Sequence, residues 1–398
     1  MLNKLVRSLS TYKGQLYTWG SNKVSLGYEV SSTSMSISRP QKVSDFEPGT
    51  VKSISMSNNH TAVVDQEGHV YTFGRGDYGM LGHDSEQKVL QPKMIENLAK
   101  IDMKMTEVAT GEFHTVLLSE EGDVWTMGYG GELTGGFWRQ MFSQGGGGLG
   151  HGDKENKFVP TPIERLKEHD DIVKITAGAY HSMALGGTGR IYVWGKGEYG
   201  TLGIGKNINY LSPVPNPFFD DILENDSLKA VDMKSCSYYS SVVLEDGRTF
   251  GWGRNDDGQL GIGTSIGVDM YESEKWPAQA GEELETSKVK EIQTGENICA
   301  YLTEDNEVYI AGLRLWWHPK KLNKPEQGEV TSVFAGSRFA GYVIDQKDVY
   351  FIGNMFSGKD AEEIVDLRIW KVKPEVFGDK KIEKIGGSYK NNYCFLID

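Results

Sequence analysis

Short runs in which apolar and polar residues alternate, broken by glycine, recur along the whole chain. The clearest pair is Phe113-His114-Thr115-Val116-Leu117-Leu118 and Val124-Trp125-Thr126-Met127-Gly128, with Glu121-Gly122 between them. Period-two alternation on both sides of a glycine-bearing turn predicts a β-hairpin. The turn returns as Glu67-Gly68, Thr188-Gly189 and Asp246-Gly247, with Asn306 and Lys347 in the same slot further on. Seven strand-like runs close on a glycine, at Gly20, Gly74, Gly128, Gly195, Gly253, Gly312 and Gly353, in steps of 54, 54, 67, 58, 59 and 41 residues. A loose period of this size is that of one blade or solenoid turn. After four of these glycines comes a Leu-Gly pair, at 81–82, 149–150, 202–203 and 260–261.

The two ends of the chain decide between a ring and an open array. Residues 14–20 (Gly-Gln-Leu-Tyr-Thr-Trp-Gly) form the back half of a unit with no front half before it, and residues 385–397 form a front half with no back half after it. Pairing them in one sheet completes a blade and removes the exposed sheet edges that an open array would leave. The Gly-x-x-His-Ser/Thr segments at 111–115 and 178–182 and the run 247–261 resemble the regulator of chromosome condensation type repeats. That resemblance covers about residues 14–398 and implies an all-β, seven-bladed β-propeller closed by its N- and C-terminal segments. Residues 313–317 and 354–357 depart from the pattern, replacing the Leu-Gly segment in the sixth and seventh units.

Composition narrows the function. With 42 basic and 55 acidic residues the net charge is −13, which disfavours a general DNA or RNA surface, because phosphate binding depends on cationic side chains. Cys236, Cys299 and Cys394 are far apart and lack Cys-x-x-Cys spacing, so they read as reduced core residues. No apolar run reaches the ~20 residues of a membrane-spanning helix, leaving peripheral association with a membrane complex as the membrane role to expect. Residues 1–13 carry Lys4, Arg7 and Lys13 with no acid, and Leu2, Leu5, Val6 and Leu9 share one helical face. This basic amphipathic segment predicts a mitochondrial address, inner-membrane-associated or matrix, with the cytoplasm as the alternative.

Several motifs imitate enzyme chemistry. Residues 74–79 and 195–200 match the dinucleotide glycine fingerprint, yet another turn follows each where a phosphate-binding helix would have to begin. Residues 200–207 stop one residue short of a P-loop, with Asn207 in the place of the magnesium-binding hydroxyl. His60, His114 and His181 occupy equivalent positions that Tyr239, Ile298 and Phe339 fill in later units, so we expect packed histidines bonded to local backbone. No catalytic residue, cofactor or metal is assigned, and the chain is read as non-enzymatic.

Function is therefore expected where one blade departs from its siblings. The interval from the closing glycine to the Leu-Gly glycine is 8 positions in three units but 22 in the third, an insertion near 129–147. It carries Phe137, Trp138, Arg139, Met141 and Phe142, residue types enriched at the centres of protein interfaces. Resemblance implies that exchange-factor relatives carry a wedge here that pries nucleotide from a Ran-type GTPase. A second candidate is the basic aromatic patch of Trp316, Trp317, Lys320 and Lys321, and the acidic insert 269–285 is a third. The first reading is a protein–protein interaction scaffold, an accessory subunit of a large mitochondrial assembly. A guanine-nucleotide exchange factor for a small or mitochondrial GTPase is the alternative, and an RNA-associated factor using the Trp316 patch is the third.

Overall fold

The computed structural model describes residues 12–31, 33–34, 36–131, 146–167, 170–263, 273–284, 286–325, 327–356, 359–364, 369–388 and 390–398. Their strands form seven antiparallel sheets arranged as a closed β-propeller, six of four strands and one of five. Numbered by their closing glycines, the blades have as innermost strands β28 (Lys381–Gly387), β3 (Val51–Met56), β7 (Met105–Thr110), β11 (Ile172–Ala177), β15 (Ala230–Cys236), β19 (Val289–Thr294) and β23 (Val330–Ala335).

Blade 1 takes strands from both ends of the chain, in the order β2 (Ile37–Lys42), β1 (Gln15–Gly20), β29 (Asn391–Ile397), β28. The register sets Gln15 opposite Leu396, Tyr17 opposite Cys394 and Gly20 opposite Asn391. Side chains reinforce the closure: Glu383 accepts from the Gly14 amide at 2.8 Å, and Asn391 donates to the Asn22 carbonyl and the Ser25 hydroxyl at 2.8 and 2.7 Å. Tyr12 also belongs to the ring. Its amide donates to the Val51 carbonyl at 2.9 Å and its ring stacks on Phe395 at 4.0 Å, so the basic segment is tied to the propeller at its last residues.

The second strand of a blade is buried on both faces, since neighbouring blades pack against each of its sides. Strands His114–Ser119, His181–Gly186, Tyr239–Leu244, Ile298–Thr303 and Phe339–Ile344 have every residue buried. The inner strands instead bury residues three apart across a register slip, as at Met105 and Val108, Ile172 and Ile175, and Val289 and Ile292. Short helices α1 (Glu96–Lys100), α2 (Glu164–Lys167) and α3 (Pro217–Asp226) lie in the connections between blades and bury Leu98, Leu166 and Phe219.

The Leu-Gly pairs lock blades together. At Gly203, where φ is +65°, an added Cβ would lie 2.8 Å from the Trp252 indole of the next blade, whose Nε1 donates to the Thr201 carbonyl at 2.9 Å. Trp194 likewise donates to the Gly148 carbonyl at 2.7 Å. Where the seventh unit lacks the pair, Phe356 stacks on Trp19 of blade 1 at 5.7 Å, so an aromatic ring replaces the glycine contact. Blade 7 also gains a fifth strand, Ala361–Ile364, paired with Ile369–Val372.

The enzyme-like glycine motifs are joints of the same kind. A Cβ at Gly197 would lie 1.9 Å from the Ile208 carbonyl, so the second glycine of the fingerprint lets the returning loop pass. The next segment, Glu198–Gly200, is a single 3-10 turn and not the start of a helix.

Candidate functional site

Two kinds of turn share one face of the disc: the turn from first to second strand of each blade, and the loop that leaves each closing glycine. In all seven blades the amide after the closing glycine donates to the carbonyl of the residue before the slot opposite that glycine, as in Arg75 to Asn59, Tyr129 to Phe113 and Ser21 to Lys390, each 2.9 Å. This sevenfold bond holds the two turns together and fixes what each side chain presents. We call this the glycine face.

Its slot residues are His60, His114, His181, Tyr239, Ile298, Phe339 and Asn391. The histidines differ from the expectation of local backbone bonding, because each reaches the next blade. His60 Nε2 meets the Thr115 hydroxyl at 2.7 Å, His114 Nε2 the Ser182 hydroxyl at 2.9 Å and His181 Nε2 the Ser240 hydroxyl at 2.9 Å. Thr115 and Ser182 donate in turn to the Met80 and Gly148 carbonyls at 2.9 Å, so they accept from Nε2–H and fix that tautomer. Burial holds the three rings far below the usual imidazole range, at about 3, 4 and 3 for His60, His114 and His181. Tyr239 continues the chain of links by donating to the Ile298 carbonyl at 2.9 Å.

Around the axis the seven inner strands slip register by one residue at the same place, which sets Ser53, Glu107, Lys174, Asp232, Glu291, Ser332 and Lys384 at one level. The channel they line has a volume of about 570 Å³. Lys174 pairs with Asp232 at 2.5 Å and Lys384 with Glu291 at 2.7 Å, while Glu107 accepts from the Ile175 amide at 3.1 Å. Burial opposes both carboxylates, but the paired lysines hold Asp232 and Glu291 below the usual carboxylate range overall. Cys299 and Cys394 are buried free thiols as expected, whereas Cys236 is half-buried and lines the channel mouth. Burial, then the charges of Glu296 and Glu112, push its thiol up to about 12.

Across blades 2 to 5 the glycine face carries a continuous arc of six half-buried aromatic rings. Tyr78 meets Phe113 at 5.7 Å and Tyr129 at 5.0 Å; Phe113 and Tyr129 meet Tyr180 at 5.9 and 6.4 Å; Tyr180 meets Tyr238 at 6.2 Å; and Tyr199 meets Tyr238 at 5.3 Å. Phe113, Tyr180 and Tyr238 each precede the slot residue in consecutive blades, and Tyr78 and Tyr199 are each the fourth residue after a closing glycine. That repetition is the sequence signal that marks these rings, none of which is among the candidate residues above. Between the rings, basic residues following closing glycines pair with acids: Arg75 with Asp77 at 2.8 Å, Lys196 with Glu198 at 2.5 Å and Arg254 with Asp256 at 2.6 Å.

Phe137, Trp138, Arg139, Met141 and Phe142 lie outside the described residues. The insertion that carries them leaves the arc directly after Tyr129, Gly130 and Gly131 and rejoins it at Gly146. Trp316, Trp317, Lys320 and Lys321 are elsewhere, on the outer strand Trp316–Lys321 of blade 6, and the structure does not bring them to the arc. The two tryptophans are half-buried. Lys320 pairs with Glu283 of the acidic insert at 2.6 Å and Lys321 with Glu307 of the same blade at 3.4 Å, so both lysines of the basic patch are ion-paired. Among the described residues no helix is long and apolar enough to cross a membrane.

The RCC1-like domain family model matches residues 7–316. The chain is 32% identical over 284 residues to the ultraviolet-B receptor UVR8 of Arabidopsis thaliana, covering 70% of this chain and 58% of the receptor. It is 25% identical over 315 residues to the mitochondrial RCC1 domain-containing protein RUG3 of the same plant, covering 77% and 63%. The chain thus spans about three-fifths of these relatives' length. A solved structure of Prp20p from Saccharomyces cerevisiae, described with its binding to Gsp1p and histones, superposes with a TM-score of 0.79 at 19% identity over 99% of this chain and 94% of that one. Human WBSCR16 superposes with a TM-score of 0.72 at 16% identity, covering 96% and 98%.

Proposed function

The chain belongs to the RCC1-like domain family, and from that premise we propose that it is a non-catalytic docking ring, an accessory subunit that a larger mitochondrial assembly holds by its glycine face. The observation that carries this reading is the arc of six touching aromatic rings, half-exposed on a scaffold that the blade-to-blade histidine links make rigid. Tyrosine and phenylalanine lose little side-chain entropy on binding and bury large areas, which is why they anchor protein interfaces. The insertion follows Tyr129, Gly130 and Gly131 in the sequence, and we propose its Phe137, Trp138, Arg139, Met141 and Phe142 as further anchors. Trp316 and Trp317 offer a second, smaller contact on the outer edge of blade 6. The mitochondrial address rests on the basic amphipathic segment and on the similarity to RUG3.

The exchange-factor reading draws support from one specific likeness, the shared fold with Prp20p, whose structure is described with binding to Gsp1p. Its mechanism would be displacement of phosphate or magnesium contacts by the insertion, without covalent chemistry. Native purification of the full chain, followed by labelled-GDP release from any co-purifying GTPase, separates the two. The docking reading expects stoichiometric recovery in a large assembly with release unaccelerated, and loss of that recovery when residues 133–142 are deleted. Accelerated release that disappears with the same deletion would overturn it in favour of the exchange factor.

A further inference from the structure

We infer that the aromatic arc and the channel mouth beside it receive an arginine- or lysine-bearing extended segment of a partner protein, its cations lying over tyrosine rings and facing Glu112 and Glu296. The inference rests on the docking reading and adds the chemistry of the occupant. Three observations on this face point to a cation.

First, the face already holds one. Lys196 sits over the Tyr180 ring with its Nζ 5.5 Å from the centroid, the geometry in which a ring quadrupole attracts an ammonium group. Second, beside the arc on blades 3 and 6 the carboxylates Glu112 and Glu296 are not matched by a basic residue of their own turns, the further cations of the face, Arg338 and Lys390, lying on blades 7 and 1. The basic residues among the rings are matched by Asp77, Glu198 and Asp256, whereas Glu112 makes its hydrogen bonds to neutral groups, with Lys390 of blade 1 the cation whose charge acts on it. Those neutral donors are the amide nitrogens of Asn58 and Asn59, at 3.0 Å each. Glu296 accepts from the Ser337 hydroxyl at 2.7 Å and also lines the mouth.

Third, the field of these acids reaches the rings and each other. Burial is the main cause that pushes the Tyr180 and Tyr238 phenols up, and the Glu112 charge contributes to both. Glu112 itself is held above the usual carboxylate range by burial, against the Asn58 bond and the Lys390 charge, with Glu296 adding to the rise. Two carboxylates left on neutral donors at the edge of an aromatic surface are complementary to cations and repel phosphate. An extended segment fits because the rings form an arc along the rim of the channel and not a closed pocket.

The test has two arms on the full chain. In the first, calorimetric titration uses an acetylated and amidated peptide alternating arginine with glycine, and its uncharged citrulline counterpart. Saturable binding is expected, about tenfold weaker for the citrulline peptide, and weakening with salt as surface charge pairs do. Tyr180→Leu should weaken the arginine peptide about fivefold and Glu112→Gln about tenfold, whereas Lys196→Gln should tighten it by removing the resident competitor. The last variant guards against a merely damaged fold, because damage would not raise affinity.

In the second arm, a photo-crosslinking residue at position 180 or 238 maps the contacted segment in the native assembly. A cross-linked segment bearing arginine or lysine supports the inference. A cross-linked segment without them, or equal binding of the two peptides, overturns the inference and leaves the docking reading in place. No cross-link from either position in an intact assembly overturns both.

Discussion

Ending the chain after Lys390 will abolish the fold. The missing strand β29 pairs with β1 on one side and β28 on the other, and it carries Cys394, Phe395 and Leu396 at 0, 0 and 3% exposure. Each such side chain contributes about 1.5–3 kcal/mol through burial. Their loss would also uncover Leu16 and Trp19, unstack Tyr12 from Phe395 and free the ladder groups on both neighbours. The total approaches the 5–15 kcal/mol that typically separates folded from unfolded domains. An open solenoid would instead lose one terminal repeat and keep the rest.

The matched control is a circular permutant that omits residues 1–11, joins residue 398 to residue 12 through a short flexible linker and opens the chain at residue 227, between α3 and β15. Ile397 and Gln15 are the adjacent ends of antiparallel strands, so this connection runs along one edge of an existing pair. The permutant should melt cooperatively near the parent, while the truncated chain shows no cooperative transition by circular dichroism. A truncated chain that melts like the parent would show that the ring does not depend on the closure.

Acid will destabilise the ring well above the carboxylate range. His60, His114 and His181 titrate in the unfolded chain near 6.5 but are held at about 3, 4 and 3 in the folded one. The unfolded state therefore binds more protons between those values, and stability present above pH 6.5 falls as pH drops toward 4. One pH unit below 6.5 costs about 1.4 kcal/mol per histidine, so the three together cost about 6 kcal/mol by pH 5. His83 and His151, held at about 4 by burial and bonded to the Thr72 and Thr126 hydroxyls, act in the same direction. Glu107 and Glu112 act in the opposite direction, since burial raises them and their protonation relieves a cost as pH falls through their raised range toward the ordinary carboxylate value, so they offset part of the histidine effect. Thermal midpoints measured from pH 7.5 to 5.0 should fall steeply, and His114→Gln should lower the neutral-pH midpoint while flattening the slope by about a third of the three-histidine contribution. A midpoint unchanged across this interval would contradict the neutral, blade-linking role of these rings.

The closure was legible because strand pairing has a local signature: residues 14–20 and 385–397 each show half of a hairpin whose complete form recurs elsewhere in the chain. Gly197 and Gly203 were legible as repeat features, but their causes, the passing Ile208 carbonyl and the Trp252 indole, come from other strands. The charged channel was hidden by the register slip in every inner strand, which alternation alone does not reveal. The histidine links were hidden for a related reason, since His114 and Ser182 are 68 residues apart. The arc has only a weak sequence signature, because Phe113, Tyr180 and Tyr238 come together from three blades and each is one aromatic residue beside a slot position. The pairing of Lys320 with Glu283 joins the basic patch to the acidic insert, a contact between residues 37 positions apart that neither segment shows alone.

Hydroxyl-radical footprinting of the isolated chain against the same chain in its native assembly addresses the docking face most directly. Tyr78, Tyr129, Tyr180 and Tyr238 should lose reactivity several-fold on assembly, while Trp276, 47% exposed on the outer strand of blade 5, keeps its own. Unchanged arc reactivity with protection at Trp276 would place the partner on the rim and contradict the account.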